Sequence, residues 1–173
     1  NKIMVTENIN NHDLVGVEMV KESFSLTSLQ IQQFTALGEL YRDWNAKINV
    51  ISRKDIDNLF PHHILHSLAI AKVLNFQPGT TLLDVGTGGG FPGIPLKLAK
   101  INIEETLIDS VNKKIKVVQD CIDKLNLNDI DKNTKNIVIG VSAGPDSMAL
   151  LHYMINNTNY NIVCAHINHN VRE

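Results

Sequence analysis

The sequence predicts an α/β fold: a Rossmann-like parallel sheet of about four strands, with helices on both faces and an N-terminal helical cap. Two observations carry this prediction. From residue 79 onward, short β-branched runs alternate with longer helical patterns, which is the rhythm of βαβ units. Before residue 79, apolar residues recur mainly at helical spacing, as expected of helices that bury one face.

The cap is predicted to contain two helices. Thr27 and Gln30 fit a capping box, and an apolar stripe at helical spacing follows them. A short extended connector is expected over 48–52, and Pro61 opens the second helix at its favoured first position. The stripe consists of Ile31, Phe34, Leu37, Leu40, Tyr41 and Trp44. We therefore divide this part of the chain into an unassigned segment, 1–23, and a helical cap, 24–78.

Two βαβ regions follow the cap. A polar stretch dense in Asn, Asp and Lys separates 79–130 from 131–173, and we expect both regions to share one sheet. The predicted strands cover 81–85, 105–109, 137–141 and 162–166, and the predicted helices cover 91–99, 111–125 and 146–156. Both regions thus contribute to the same parallel sheet.

Composition and charge narrow the classes of function. Hydrophobic residues make up 43% of the 173 residues, which is enough for a packed core. No apolar run approaches the roughly 20 residues that span a bilayer, and 1–11 lack a signal-peptide pattern. Cys121 and Cys164 are typical of reduced thiols, so we expect a cytoplasmic protein. The net charge of −2 lacks the basic excess of a free-standing nucleic-acid binder, although Arg53-Lys54 and Lys113, Lys114 and Lys116 form local basic clusters.

A glycine-rich loop lies between the first predicted strand and its helix. Its sequence is Asp84-Val85-Gly86-Thr87-Gly88-Gly89-Gly90. When a dinucleotide fingerprint is aligned from Gly86, its third glycine falls on Phe91, the residue after this run. The pattern Asp-x-Gly-x-Gly-x-Gly is typical instead of S-adenosylmethionine-dependent methyltransferases. Asp109 ends the next strand, where a carboxylate would accept hydrogen bonds from ribose hydroxyls. The predicted cofactor-binding residues are Asp84, Gly86, Gly88, Gly89, Gly90 and Asp109.

Residues from about 24 to 130 resemble the N-terminal part of the RsmG (GidB) family, bacterial methyltransferases that modify N7 of a guanosine in 16S rRNA. The resemblance rests on the runs 37–41, 44–53, 66–68, 83–95, 107–110 and 113–116. It implies that Gly86, Gly88 and Gly90 wrap the methionine end of the cofactor and that Asp109 holds its ribose. Guanine N7 has a free lone pair, so the implied reaction needs alignment more than a catalytic base, and no catalytic residue is assigned.

A second loop, Ser142-Ala143-Gly144-Pro145-Asp146-Ser147, follows the third predicted strand and lacks the Gly-Lys-Ser/Thr ending of a Walker loop. Together with 165–172 it resembles the pyrophosphate loop of the TilS family, the tRNA(Ile)-lysidine synthetases, over about 133–173. The resemblance implies an ATP-phosphate site at Ser142, Gly144, Asp146 and Ser147. Ala143 replaces the usual glycine, which costs about 1 kcal/mol if that position needs a positive φ.

Histidines occur in two groups, one of His62, His63 and His66 and one of His166 and His169. No Cys or carboxylate accompanies either group at zinc-site spacing, so we predict structural or substrate-facing roles and no metal.

Both families are longer than the segments shared with this chain, which predicts a chimeric or truncated form with an incomplete catalytic domain. Three hypotheses about its function follow. The first is an S-adenosylmethionine-binding, methyltransferase-like protein that acts in rRNA processing. The second is an ATP-binding module related to tRNA processing, and the third is a folded scaffold without activity. An RNA partner is expected from the resemblance alone, and an exposed sheet edge makes pairing of two copies a further hypothesis.

Overall fold

The computed structural model describes residues 9–77, 80–99, 103–109, 111–127, 136–140, 148–149, 151–152, 155–156 and 161–165. Its helices are α1 (Asn11–Ser23), α2 (Ser28–Lys47), α3 (Leu65–Val73), α4 (Gly93–Leu98) and α5 (Asn112–Lys124). Its strands are β1 (Thr80–Val85), β2 (Ile103–Ile108), β3 (Asn136–Gly140) and β4 (Asn161–Ala165). A 3₁₀ turn, Ile56–Asn58, and a π-helical segment, Leu59–Ile64, lead into α3. No helix in these ranges is long and apolar enough to cross a membrane.

The four strands form one parallel sheet in the order β2-β1-β3-β4. The pairs Thr80–Ile103, Thr80–Asn136 and Asn136–Asn161 set the register between neighbouring strands. The predicted fold class, a parallel α/β sheet of about four strands, is therefore confirmed. The third strand lies beside β1 and not beside β2, so the chain crosses the sheet between β2 and β3.

This strand order creates a point where the connections diverge. The β1–β2 and β3–β4 connections lead in opposite directions across the sheet, because β2 and β4 lie at its two edges. At the carboxyl edge, Asp84 pairs with Gly140. Parallel α/β sheets bind ligands in the crevice outside such a switch point. The glycine-rich loop leaves β1 at this place.

The α2 helix forms the base of the cap. Its predicted capping box is confirmed: the Thr27 hydroxyl accepts from the Gln30 backbone at 3.2 Å, and the Gln30 side chain accepts from the Thr27 backbone at 2.8 Å. Phe34, Leu37 and Tyr41 of the predicted apolar stripe are fully buried. The stripe was thus correctly identified, with Trp44 half-buried at its end.

Two buried glutamines of α2 fasten the cap to the helices below it. Gln30 Nε2 donates to the Leu98 carbonyl at 2.9 Å, and Gln33 Nε2 donates to the Leu125 carbonyl at 2.8 Å. These carbonyls stand at the carboxyl ends of α4 and α5, where the helix itself provides no donor. The cap is therefore joined to the sheet layer by polar contacts as well as by apolar packing.

The previously unassigned N-terminal segment contains α1, which packs on α2 through a buried ion pair. Asp13 is fully buried, and its carboxylate accepts two hydrogen bonds from Arg42, each 2.9 Å long. Arg42 also contacts Asp57 at 2.8 Å. A bidentate pair of this kind is among the stronger polar contacts in proteins. It ties α1, α2 and the 3₁₀ turn together.

Two predicted helix starts were wrong. Pro61 does not open a helix; it lies inside the π-helical segment that continues into α3. The helix predicted over 91–99 begins only at Gly93, because the glycine-rich loop extends through Pro92 before the backbone becomes helical. Glycines and prolines in succession hide a helix boundary, since several backbone paths are open to them.

Candidate functional site

The backbone of the glycine-rich loop explains its composition. Gly86, Gly88 and Gly90 have φ angles of 73°, 59° and 96°. Side chains disfavour this left-handed region by about 1–2 kcal/mol per residue, so glycine is the residue that adopts it without strain. The alternating glycines of the motif are therefore required by the turn itself. Two bonds from Gly90 N and Phe91 N to the Thr87 carbonyl, 2.9 and 3.1 Å long, close the loop.

Asp84 lies beneath the loop. Its carboxylate is 2% exposed and accepts hydrogen bonds from the Thr87 hydroxyl at 2.7 Å and from Gly93 N at 3.3 Å. Burial raises the pKa of this carboxyl to about 6, although both hydrogen bonds act in the opposite direction. Asp84 thus joins the start of the loop to the start of α4 from inside the protein.

Asp109 reaches the loop from the end of β2. One carboxylate oxygen accepts from Gly88 N at 2.9 Å, and the other accepts from Val111 N at 2.7 Å. Asp109 therefore lies beside the glycine-rich loop, and its role toward a ribose stays a prediction. Lys114, in the first turn of α5, lies on the same side, with its ammonium 3.9 Å from the place where a Cβ on Gly88 would be.

The glycines of the loop face two different environments. A Cβ on Gly86 would have no atom of the described residues within 4 Å, and Gly86 is exposed. A Cβ on Gly89 would lie 2.5 Å from Val50 Cγ1, and one on Gly90 would lie 2.5 Å from Ile94 Cδ1. Gly86 and Gly88 therefore form an outer side that a ligand can approach, whereas Gly89 and Gly90 form an inner side packed on the protein.

Residues of the cap support the inner side of the loop. The Tyr41 hydroxyl donates a hydrogen bond to the Gly89 carbonyl. The Tyr41 ring stacks on Phe91, with 4.8 Å between ring centroids. Asn45 is buried, and its Oδ1 accepts from Val50 N at 2.9 Å and from Ile51 N at 3.0 Å, which holds the connector against the loop.

Sequence reasoning had placed Tyr41 in the apolar stripe and had not connected it with the loop. A usable signal existed, because a tyrosine in the middle of an apolar stripe must find a partner for its hydroxyl when it is buried. Asn45 gave no comparable signal. Its Oδ1 accepts from two backbone donors of the extended connector, Val50 N and Ile51 N, and only the folded chain brings these donors to Asn45.

The remaining predicted site residues divide into two groups. The predicted ATP-phosphate site lies outside the described residues, and so does the second histidine group. These positions are Ser142, Ala143, Gly144, Asp146, Ser147, His166 and His169. His62 Nδ1 and His63 Nε2 both contact the Asp55 carboxylate, at 2.8 and 2.7 Å. Within the described ranges, no group of three or more His, Cys, Asp or Glu residues is arranged to hold a metal ion.

Comparison with known proteins agrees with the two resemblances. A family model described as rRNA small subunit methyltransferase G matches residues 30–138, and one described as a PP-loop domain matches residues 112–173. The two matches overlap over 112–138, so they do not locate a junction. The chain therefore does combine segments similar to two families, and the methyltransferase match extends past the polar linker into β3.

Curated relatives named ribosomal RNA small subunit methyltransferase G support the first match. The protein from Flavobacterium johnsoniae is 58% identical over 118 residues, which cover 68% of this chain and 56% of the relative. That from Porphyromonas gingivalis is 53% identical over 116 residues, covering 66% and 52%. That from Bacteroides thetaiotaomicron is 52% identical over 115 residues, covering 66% and 56%. The chain thus spans about half the length of these relatives.

The family match covers more than half of this chain, and it includes the whole glycine-rich loop, Asp109 and the cap residues behind the loop. By sequence, and with the parallel α/β fold described above, the chain belongs to the rRNA small subunit methyltransferase G family.

Proposed function

We propose that the chain binds S-adenosylmethionine at the outer side of the glycine-rich loop and that it is related in function to methyltransferases acting on ribosomal RNA. The observation that carries this proposal is the contact between Asp109 and Gly88 N at 2.9 Å beside the open face of Gly86. It combines a carboxylate and bare backbone at the switch point of the sheet, with no atom of the described residues within 4 Å of a Cβ on Gly86. When bound, the cofactor supplies a methyl group activated by its sulfonium.

Asp109 has the hydrogen-bonding capacity that a ribose requires. An ionised carboxylate offers about four lone-pair sites, and the backbone groups of Gly88 and Val111 occupy two of them. The remaining sites suit the two hydroxyls of a ribose. The bonds to Gly88 and Val111 also hold the carboxylate in place, so the acceptor is oriented before the ligand arrives.

The proposed acceptor is a guanine N7 in ribosomal RNA: the family name gives the rRNA, and the resemblance alone implies the N7 position. N7 carries a lone pair and no proton, so the residues of this chain would contribute alignment of the two reactants and not proton removal. Among the predicted basic residues, Arg53, Lys113 and Lys116 are exposed, and Lys114 is half-buried beside Gly88. These cations are the proposed contacts to RNA phosphates.

Calorimetric titration with S-adenosylmethionine tests the cofactor proposal. Asp109→Asn is expected to weaken binding about tenfold or more, because asparagine has no charge and only one acceptor oxygen, whereas Asp109 accepts from Gly88 N and Val111 N with two. Asp123→Asn is the matched control: Asp123 is exposed on α5, and its carboxylate accepts a hydrogen bond from Gln119 Nε2 at 2.9 Å. Equal affinity in the two variants would contradict the assigned role of Asp109. Absence of saturable binding to the unmodified chain would refute the cofactor proposal.

A second candidate function is ATP binding at 142–147, supported by the PP-loop match over 112–173. Heat of ATP binding that disappears in Asp146→Ala, together with pyrophosphate release, would support it. If neither ligand binds to a protein that unfolds cooperatively, the third hypothesis, a scaffold without activity, is the one that remains.

A further inference from the structure

Tyr41 lies on α2 in the cap, and its hydroxyl contacts the glycine-rich loop. Its side chain is fully buried, and its hydroxyl donates to the carbonyl of Gly89, 48 residues away in the chain. Burial, with smaller effects of Cys121 and Asp84, raises the pKa of this hydroxyl well above its ordinary value, so it remains a donor. The ring is held independently of the hydroxyl by its stacking on Phe91.

The hydrogen bond from Tyr41 acts on a peptide unit that is restrained at both ends. The Gly89 carbonyl accepts from Tyr41, and the N–H of the same peptide unit, on Gly90, donates to the Thr87 carbonyl at 2.9 Å. Rotation of this unit would break both bonds. Glycines impose few conformational limits of their own, so a contact from outside the loop is needed to select one orientation.

We propose that Tyr41 is a positioning residue for the cofactor loop, whose hydroxyl holds the 89–90 peptide in the orientation that presents the outer side to S-adenosylmethionine. This inference rests on the function proposed above. A loop that spends only a fraction of its time in the competent conformation binds with an affinity reduced by that fraction. Loss of the hydroxyl therefore weakens cofactor binding without removing any atom that contacts the cofactor.

The test compares Tyr41→Phe with Thr35→Val, a matched loss of one buried hydroxyl on the same helix. The Thr35 hydroxyl donates to the Ile31 carbonyl at 2.9 Å, within α2. We expect Tyr41→Phe to weaken S-adenosylmethionine binding about tenfold by calorimetry, and Thr35→Val to leave it unchanged. Similar melting temperatures of the two variants would separate positioning from general destabilisation. Equal affinities would overturn the proposal.

A measurement without cofactor distinguishes failure of this inference from failure of the proposed function. Hydrogen exchange of the Gly90 amide is expected to become about tenfold faster in Tyr41→Phe and to stay unchanged in Thr35→Val. Unchanged exchange in Tyr41→Phe would overturn the positioning role, whatever the chain binds. Faster exchange in a chain that does not bind S-adenosylmethionine would support the hold on the loop and refute the cofactor assignment.

Discussion

The outer and inner sides of the glycine-rich loop use the same amino acid for different purposes. At Gly86 no atom of the described residues is near, and glycine is needed for the backbone angle. At Gly89 the φ angle is not in the left-handed region, yet Val50 and Tyr41 occupy the space that a side chain would need. Gly90 combines both constraints. One motif therefore contains a glycine required by its backbone angle alone and glycines that the surrounding packing requires.

The largest effect is expected from breaking the inner side with Gly90→Ala. The new Cβ would adopt a φ of 96° and would lie 2.5 Å from Ile94 Cδ1. Backbone strain and overpacking together should reduce the free energy of unfolding by roughly 2 to 5 kcal/mol. Urea denaturation measures this loss. A reduction below about 1 kcal/mol would show that α4 adapts to the side chain, and the distinction between the two sides would fail.

A smaller effect on stability is expected from Asp84→Asn, which tests the buried carboxyl beneath the outer and inner sides of the loop. The folded-state pKa of about 6 exceeds the ordinary value of 3.8, so the folded protein retains a proton that the unfolded chain releases in this window. The stability contributed by Asp84 is therefore greatest below pH 3.8, falls as the pH rises, and becomes constant above about 6.

Asparagine keeps an acceptor oxygen for Thr87 and Gly93 but has no charge to bury. The stability of Asp84→Asn relative to the unmodified chain should thus increase by roughly 2 kcal/mol between about pH 4.5 and pH 7.5. Chemical denaturation of both proteins at the two pH values gives this difference. A constant difference across the window would mean that the Asp84 carboxyl titrates normally.

The smallest effect on stability, with the most informative effect on binding, is expected from Gly86→Ala. The φ of 73° costs about 1–2 kcal/mol, and no atom of the described residues is displaced. The protein should remain folded while S-adenosylmethionine binding is lost, because the methyl group fills the approach to the loop. Calorimetry and urea denaturation of the same sample separate these effects. Retained binding would place the cofactor elsewhere.

A second contrast separates the loop after β1 from the region after β3. The glycine-rich loop after β1 is held by a hydrogen bond from Tyr41 of α2, by a hydrogen bond to Asp109 and by packing against Val50 of the connector. The described residues of the second region enter the sheet through the pairing of β3 with β1 and β4, and Met148 and Ile155 of its helical residues are 48% and 58% exposed. The cap thus supports the methyltransferase motif, and the second region extends the sheet beside it.

Much of this arrangement was determined by the sequence alone. The capping box at Thr27, the apolar stripe of α2 and the parallel strands follow from patterns within a few residues, because helix and strand periodicities are local. The glycine pattern together with Asp109 also predicted which strand ends meet.

Only the tertiary structure decided which glycines face outward, which partner Tyr41 finds and which strand borders β1 on its second side. Gly89 is packed because Val50 and Tyr41, about 40 to 50 residues earlier, are folded against it. The position of β3 depends on a crossover whose direction leaves no mark in the strand itself. Local sequence specifies the elements, but close packing and hydrogen bonding between distant residues determine what each element faces.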